Sequence, residues 1–382
     1  MIYRTSREKI DAYFESTAVS QSELKLLGKG IDYYLNNEVK IKEEKYFDEP
    51  AEHFKIGSAV DCKITEGDDV FNKLYYISTL EKMPSDAMVS IVRQVYDAAH
   101  RLETPFEPII DLYRELIIAA CVAENYQPRW GEDAKVNAVK REGEAYWLEI
   151  ANAGDRTILT IEEKVLIDRV VDSIKLHPEF ANYYKRAEEG DGIDILFQFP
   201  LYFGFQEMNC KALLDIVIID HPHRLIIPWD IKTLWDTVAN FPSQSNKRRY
   251  DIQGSFYHNA LVRLKNRLTN SIVNNYDIED YPSVRDYQVD GFSFLVQSTT
   301  FNNNAVLFKM ESSLLEMGKN GRSEMMMMAV EADTDEADVS YIKTKEVKGY
   351  TNLISEIRQF KQAPETKSKH PDIMSFDWYG RT

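Results

Sequence analysis

Asp215, Asp230 and Lys232 are the residues of this chain whose types and spacing suit chemistry on a phosphodiester. Asp230 and Lys232 stand two apart in Pro228-Trp229-Asp230-Ile231-Lys232. Side chains alternate along a strand, so both face one side while Trp229 and Ile231 face the other. The preceding run, Lys211-Ala212-Leu213-Leu214-Asp215, is separated from it by His221-Pro222-His223-Arg224. If those four residues close a hairpin, Asp215 lies directly across from Asp230, with Cβ atoms roughly 5 Å apart. Carboxylates that close repel unless a cation sits between them. A hard, oxygen-seeking ion such as Mg²⁺ meets that need, and Mn²⁺ is expected to substitute. Such a metal activates a water and stabilises charge on a phosphate, while the neighbouring amine orients or deprotonates the water. The bland alternative is a surface salt-bridge cluster. The apolar character of both strands weighs against it.

The elements that must position these residues follow from pattern. Ile193–Phe205 is a β-rich run leading into the hairpin, with further strands expected at Gly291–Gln297 and Ala305–Met310. Asp251–Leu264 reads as a helix: Ile252, Phe256, Ala260 and Leu264 recur every four residues, and Gln253 and Tyr257 form an adjacent polar stripe. Upstream, Ser20 begins a capped helix continuing toward Leu35, and Phe54–Thr65 is an apolar helix with Gly57 and small residues early. Ser85–Asn125 has helical spacing, with Ile109, Ile110 and Leu112 in its second half. Val136–Ile150 alternates like a hairpin, and Thr160 to Glu163 has capping-box form before another helix. Leu314–Met317 and Gly349–Phe360 are expected helices. Pro228 removes a ladder donor and predicts an edge position or a bulge.

The fold class expected is α/β (α+β): a central mixed sheet flanked by helices, with a helical N-terminal elaboration. Residues 1–190 read as that N-terminal part, 191–320 as the core, 321–345 as an acidic mobile loop, and 346–382 as a last helix with an aromatic tail. The loop is inferred from Met325–Met328 and the acidic run Glu331–Asp338. In the tail, Phe376, Trp378 and Tyr379 are expected to dock.

Composition excludes some classes. In 382 residues, hydrophobic content of 44% and charged content of 28% are those of a globular domain. No apolar run reaches the roughly 20 residues that span a bilayer. No apolar stretch follows Met1, so a cytoplasmic location is expected. Cys62, Cys121 and Cys210 lack metal spacing and argue against zinc. The net charge of −16 opposes a polyanionic substrate unless the groove is locally basic. Lys247-Arg248-Arg249 provides one such stretch, and a solvated loop is its equally weighted alternative.

An aspartate opposite Asp-x-Lys, a following Gln-x-x-x-Tyr helix and a glycine-bearing upstream helix together resemble the PD-(D/E)xK nuclease superfamily, in its RecB-like branch. The chain is most similar to the RecE (exonuclease VIII) family of phage recombination exonucleases. The resemblance covers roughly residues 15 to 320. It rests on Ser20 to Leu35, Phe54 to Glu66, Trp147 to Tyr184, Phe292 to Gly318 and, most strongly, Lys211 to Leu261. It implies a restriction-endonuclease-like core and a Mg²⁺-dependent exonuclease acting on duplex DNA ends, 5′ to 3′. It also implies a ring-like homo-oligomer, a trimer or tetramer, and a single-strand-annealing partner.

Residue by residue, the resemblance implies metal ligation by Asp215, Asp230 and the carbonyl of Ile231, with water orientation or activation by Lys232. Gln253 and Tyr257 would position the lysine or the scissile phosphate, assisted by Thr233. Asp61 stands where the family usually has histidine, and a carboxylate there suits Mg²⁺ at least as well. The competing readings are an endonuclease or single-strand-trimming nuclease with the same site, and a non-catalytic DNA-binding protein on the same fold.

Overall fold

The computed structural model describes residues 1–30, 33–34, 52–101, 113–329 and 340–362. The chain divides into two compact units, residues 1–66 with 170–382, and residues 67–169. Residues 1–66 therefore group with the sheet. A strand at the very start explains this. β1 (Ile2–Arg4) pairs in parallel with a strand of the central sheet, so Tyr3 opposes Leu196.

The smaller unit is mostly helical. Helices Asp68–Leu74, Asp86–Arg101, Arg114–Ala123 and Glu132–Ala153 accompany a short parallel pair, β2 (Tyr75–Ile77) with β3 (Thr157–Leu159). The hairpin expected at Val136–Ile150 is instead part of the helix Glu132–Ala153. Its buried residues Val136, Val139, Gly143, Tyr146 and Trp147 recur at three and four, so the helical period outweighs the local alternation. They pack against Met88, Ile91, Val92 and Val95. Ile109, Ile110 and Leu112 lie outside the described residues.

The larger unit holds a central mixed sheet flanked by helices, as expected for an α+β chain. Its remaining strands are β4 (Ile193–Phe205), β5 (Met208–Asp220), β6 (Leu225–Leu234), β7 (Gln288–Val289), β8 (Ser293–Ser298) and β9 (Val306–Lys309). They run in the order β1-β4-β5-β6-β8-β9, with β7 also on β6. Helix Tyr250–Leu264 covers one face, where Ile252, Phe256 and Ala260 join Leu214, Val217, Ile226 and Phe294 in one core. Helix starts match their sequence signals: Ser20 and Glu23 cap each other reciprocally, as do Thr160 and Glu163.

Two expectations about strands are corrected. Pro228 sits in a central strand, because β6 is paired on both sides. The chain tolerates it there because β7 pairs only with Leu225 and Ile226 and β8 begins at Trp229, which leaves Pro228 in a gap. Second, much of the expected acidic loop is a hairpin, β10 (Arg322–Ala329) antiparallel to β11 (Ser340–Val347). The acidic residues that suggested a loop are concentrated between these strands, in Glu331–Asp338, outside the described residues. The aromatic tail, with Phe376, Trp378 and Tyr379, also lies outside them. Among the described residues, no helix is long and apolar enough to cross a membrane.

Candidate active site

The β5–β6 ladder runs from Asp220↔Leu225 to Ile216↔Trp229, and its next step would set Asp215 against Asp230. The hairpin register is therefore the one the four-residue loop predicts. The ladder stops one residue short, for a reason visible on the other side of β5. β4 and β5 pair continuously except at Gln198 and Asp215, which face one another across the break. Gln198 has φ of +50°, a left-handed conformation in the middle of a strand. Both strands change face together there: Leu196 and Phe199 enter the same core, as do Leu214 and Val217, although each pair is three residues apart. The break frees the Asp215 carboxylate to turn along the sheet, and its Oδ2 accepts the backbone N–H of Ile231 at 2.8 Å.

Asp230 is 1% exposed. Its Oδ1 accepts a hydrogen bond of 2.6 Å from Gln253 Nε2, and its Oδ2 forms an ion pair with Lys232 Nζ. Lys232 Nζ also lies 5.2 Å from the centre of the Tyr250 ring. Gln253 reaches Asp230 because Tyr250–Leu264 packs squarely on this face, burying Gln253 and, one turn later, Tyr257. Thr233, one residue beyond Lys232, contacts the helix Glu52–Thr65 at Gly57: a Cβ on that glycine would lie 3.0 Å from Thr233 Oγ1. The glycine lets that helix approach the sheet closely enough to bring in Asp61, one turn on.

Asp61 Oδ2 accepts from Gln198 Nε2 at 2.7 Å, while its Oδ1 is buried without a hydrogen-bond partner. Three carboxylates thus share a small region with one directly paired ammonium, and the electrostatics follow. Burial, with Asp230 nearby, pushes the Asp61 carboxyl up to about 7. Burial and the charges of Asp230 and Asp61 likewise raise Asp215 well above the ordinary carboxylate range. Burial alone would favour neutral Lys232, but Asp230, Tyr250 and Asp215 outweigh it and raise the amine above its ordinary value. The Tyr257 hydroxyl is raised by burial first, then by Tyr13, Asp230 and Asp215.

Asp61 provides a pH test. Its folded-state value lies above the unfolded one, so the native state holds a proton between pH about 4 and 7 that the unfolded chain has lost. Stability from this group is complete below the unfolded value and is lost as pH rises through 7. Asp61→Asn, neutral throughout, should lie much closer to the wild type near pH 4.5 than at pH 8. In EDTA at pH 8 it should melt on the order of 3 °C higher. An equal gap at both pH values, read by thermal melts, would remove the buried-acid assignment.

The site's fit to a divalent ion can be judged from its donors. The orphaned Asp61 Oδ1 and the carboxylates of Asp215 and Asp230 are hard oxygen ligands of the kind Mg²⁺ takes. Among the described residues, no group of three or more His, Cys, Asp and Glu forms a ready-made cage.

Not every candidate joins the cluster. Lys247 and Arg248 are exposed at the end of the helix Phe241–Lys247. Arg249 is committed elsewhere: in a left-handed conformation, it pairs with Asp251 at 2.9 Å and donates to the Lys348 carbonyl at 2.9 Å. Two residues that sequence reasoning passed over do join. Gln198 had a signal, as the one polar amide inside the apolar run of β4. Lys25, whose Nζ donates to Gln253 Oε1 at 3.2 Å, lies in the Ser20 to Leu35 segment that carries part of the family resemblance, but that segment assigned it no role in the site.

No family model matches the chain, and no curated protein matches it. Among solved structures the chain is similar to the crystal structure of a "putative exonuclease" from Eubacterium rectale. The TM-score is 0.26 and the identity 12%, over 64% of this chain and 76% of that one.

Proposed function

We propose that the protein is a Mg²⁺-dependent deoxyribonuclease that hydrolyses phosphodiester bonds from the ends of linear duplex DNA. The observation that carries this reading is the convergence of Asp215, Asp230, Lys232 and Gln253, with Asp61 beside them, at the break shared by β4 and β5. Asp215, Asp230, the Ile231 carbonyl and Asp61 would hold Mg²⁺, or Mn²⁺ in its place, which when bound supplies Lewis acidity to the phosphate and acidifies the attacking water. Lys232, held as an ammonium, serves by charge and hydrogen-bond donation to the water and the phosphate; its raised proton affinity suits it poorly as a base. Gln253 fixes the Asp230 carboxylate through Oδ1. Tyr257, kept protonated by burial, is a donor rather than a nucleophile.

Degradation from 5′ to 3′, a ring-like trimer or tetramer, and an annealing-protein partner belong to the same proposal and rest on the family resemblance. Lys247 and Arg248 are the exposed cations available to a DNA backbone on the stretch after the site. Exonuclease action predicts that linear duplex is consumed while closed circles persist. Cutting of closed circles would replace it with an endonuclease bearing the same residues. Lys232→Met should slow turnover by about 10² to 10³ while changing Mn²⁺ affinity, read by calorimetry, by less than about fivefold. A loss of affinity matching the loss of rate would move the lysine's role from the reaction to the metal.

A further inference from the structure

Gln253 is 4% exposed and both ends of its amide are engaged. Nε2 donates to Asp230 Oδ1 at 2.6 Å and Oε1 accepts from Lys25 Nζ at 3.2 Å. The assignment of the two ends is chemically forced, since a carboxylate only accepts and an amine of this kind donates. Lys25 Nζ also lies 4.8 Å from the centre of the Tyr250 ring, the same ring that Lys232 Nζ approaches to 5.2 Å. Tyr250 thus neighbours two amines with different partners. Lys232 pairs with Asp230 directly, whereas Lys25 reaches the same carboxylate only through an amide.

We propose that Lys25 is a positioning residue that acts through Gln253 to hold the Asp230 carboxylate in place. The inference rests on the nuclease reading of this site. A buried amide linking a cation to an anion is polarised along its length, which strengthens the Nε2–H···Oδ1 bond. It also deprives Gln253 of other rotamers, because leaving Oε1 bare in the interior would cost a desolvated acceptor. The Ser20–Glu23 capping box acquires a purpose in this light. It anchors the start of the short helix Gln21–Leu27 that carries Lys25 into the site from far away in sequence. Burial, with Lys232 close by, lowers the Lys25 amine to about 7. Either protonation state retains an N–H for Oε1, so the positioning role does not depend on titration.

The test is a double-mutant cycle of Lys25→Met and Gln253→Met, read both as Mn²⁺ affinity by calorimetry and as kcat and KM on end-labelled duplex. Lys25→Met should weaken Mn²⁺ binding about tenfold and lower kcat with little change in KM. Lys25→Arg, which keeps a donor, should recover most of both. In the Gln253→Met background, Lys25→Met should have no further effect, because the path to Asp230 is already cut. Additive effects, or unchanged affinity in Lys25→Met, would overturn the relay and leave the nuclease reading standing. A wild type that binds no Mn²⁺ and cleaves no DNA would instead overturn the reading of the site, and the relay with it.

Discussion

Asp230→Asn should lower Mg²⁺-dependent cleavage by at least about 10³ while leaving the chain folded. The substitution keeps shape and volume but places an amide where Asp230 meets the Lys232 ammonium and the Gln253 amide. Whichever way the new side chain turns, one donor faces another. The site loses a proposed metal ligand and the anion that keeps Lys232 charged. The fold should tolerate the change, because removing one of three crowded carboxylates relieves the repulsion that raises Asp61 and Asp215. Circular dichroism should therefore be unchanged, and the proton affinity of Asp61 should fall. Retention of more than about a tenth of wild-type activity would move the chemistry away from this carboxylate.

The second large effect is on the fold. Gly318, in the helix Ser312–Asn320, lies against the backbone of Tyr250–Leu264 so closely that an added Cβ would sit 2.5 Å from the carbonyl carbon of Asp251 and closer still to its oxygen. Neither atom is the end of a flexible side chain. Ser255 Oγ is also in the way, and it is already bonded to the Leu315 carbonyl at 2.6 Å. Gly318→Ala must therefore drive the two helices apart, and overpacking of this kind costs about 3 kcal/mol or more. The displaced helix carries Gln253, so cleavage should fall along with the melting temperature. A melting temperature within about 2 °C of wild type would mean that the helices do not pack as closely as described.

The hairpin was readable from residue types alone because period-two alternation and loop length jointly set the register from Asp220↔Leu225 to Ile216↔Trp229. The same holds for Gln253 and Tyr257, which a helical turn places on one face. Two features were not readable for a physical reason. The left-handed Gln198 frees Asp215 from the ladder, yet no glycine or Asn-Gly pair announces the break. Lys25 reaches Gln253 across more than two hundred residues, and no local pattern encodes such a contact. The misread segment Val136–Ile150 shows the opposite hazard: short alternation inside a long helical period, resolved only when Val92 lies against Gly143. The net −16 describes the whole chain, while Lys25 and Lys232 are concentrated at the carboxylates.

The central claim is metal-dependent phosphodiester hydrolysis by this cluster, and a time course on 5′- and 3′-end-labelled linear duplex tests it most directly. Purified wild type should release short 5′-phosphorylated products in Mg²⁺, none in EDTA, and none in Mg²⁺ when Asp230 is asparagine. Intact duplex under all conditions with Mg²⁺ or Mn²⁺, or equal cleavage by wild type and Asp230→Asn, would contradict it.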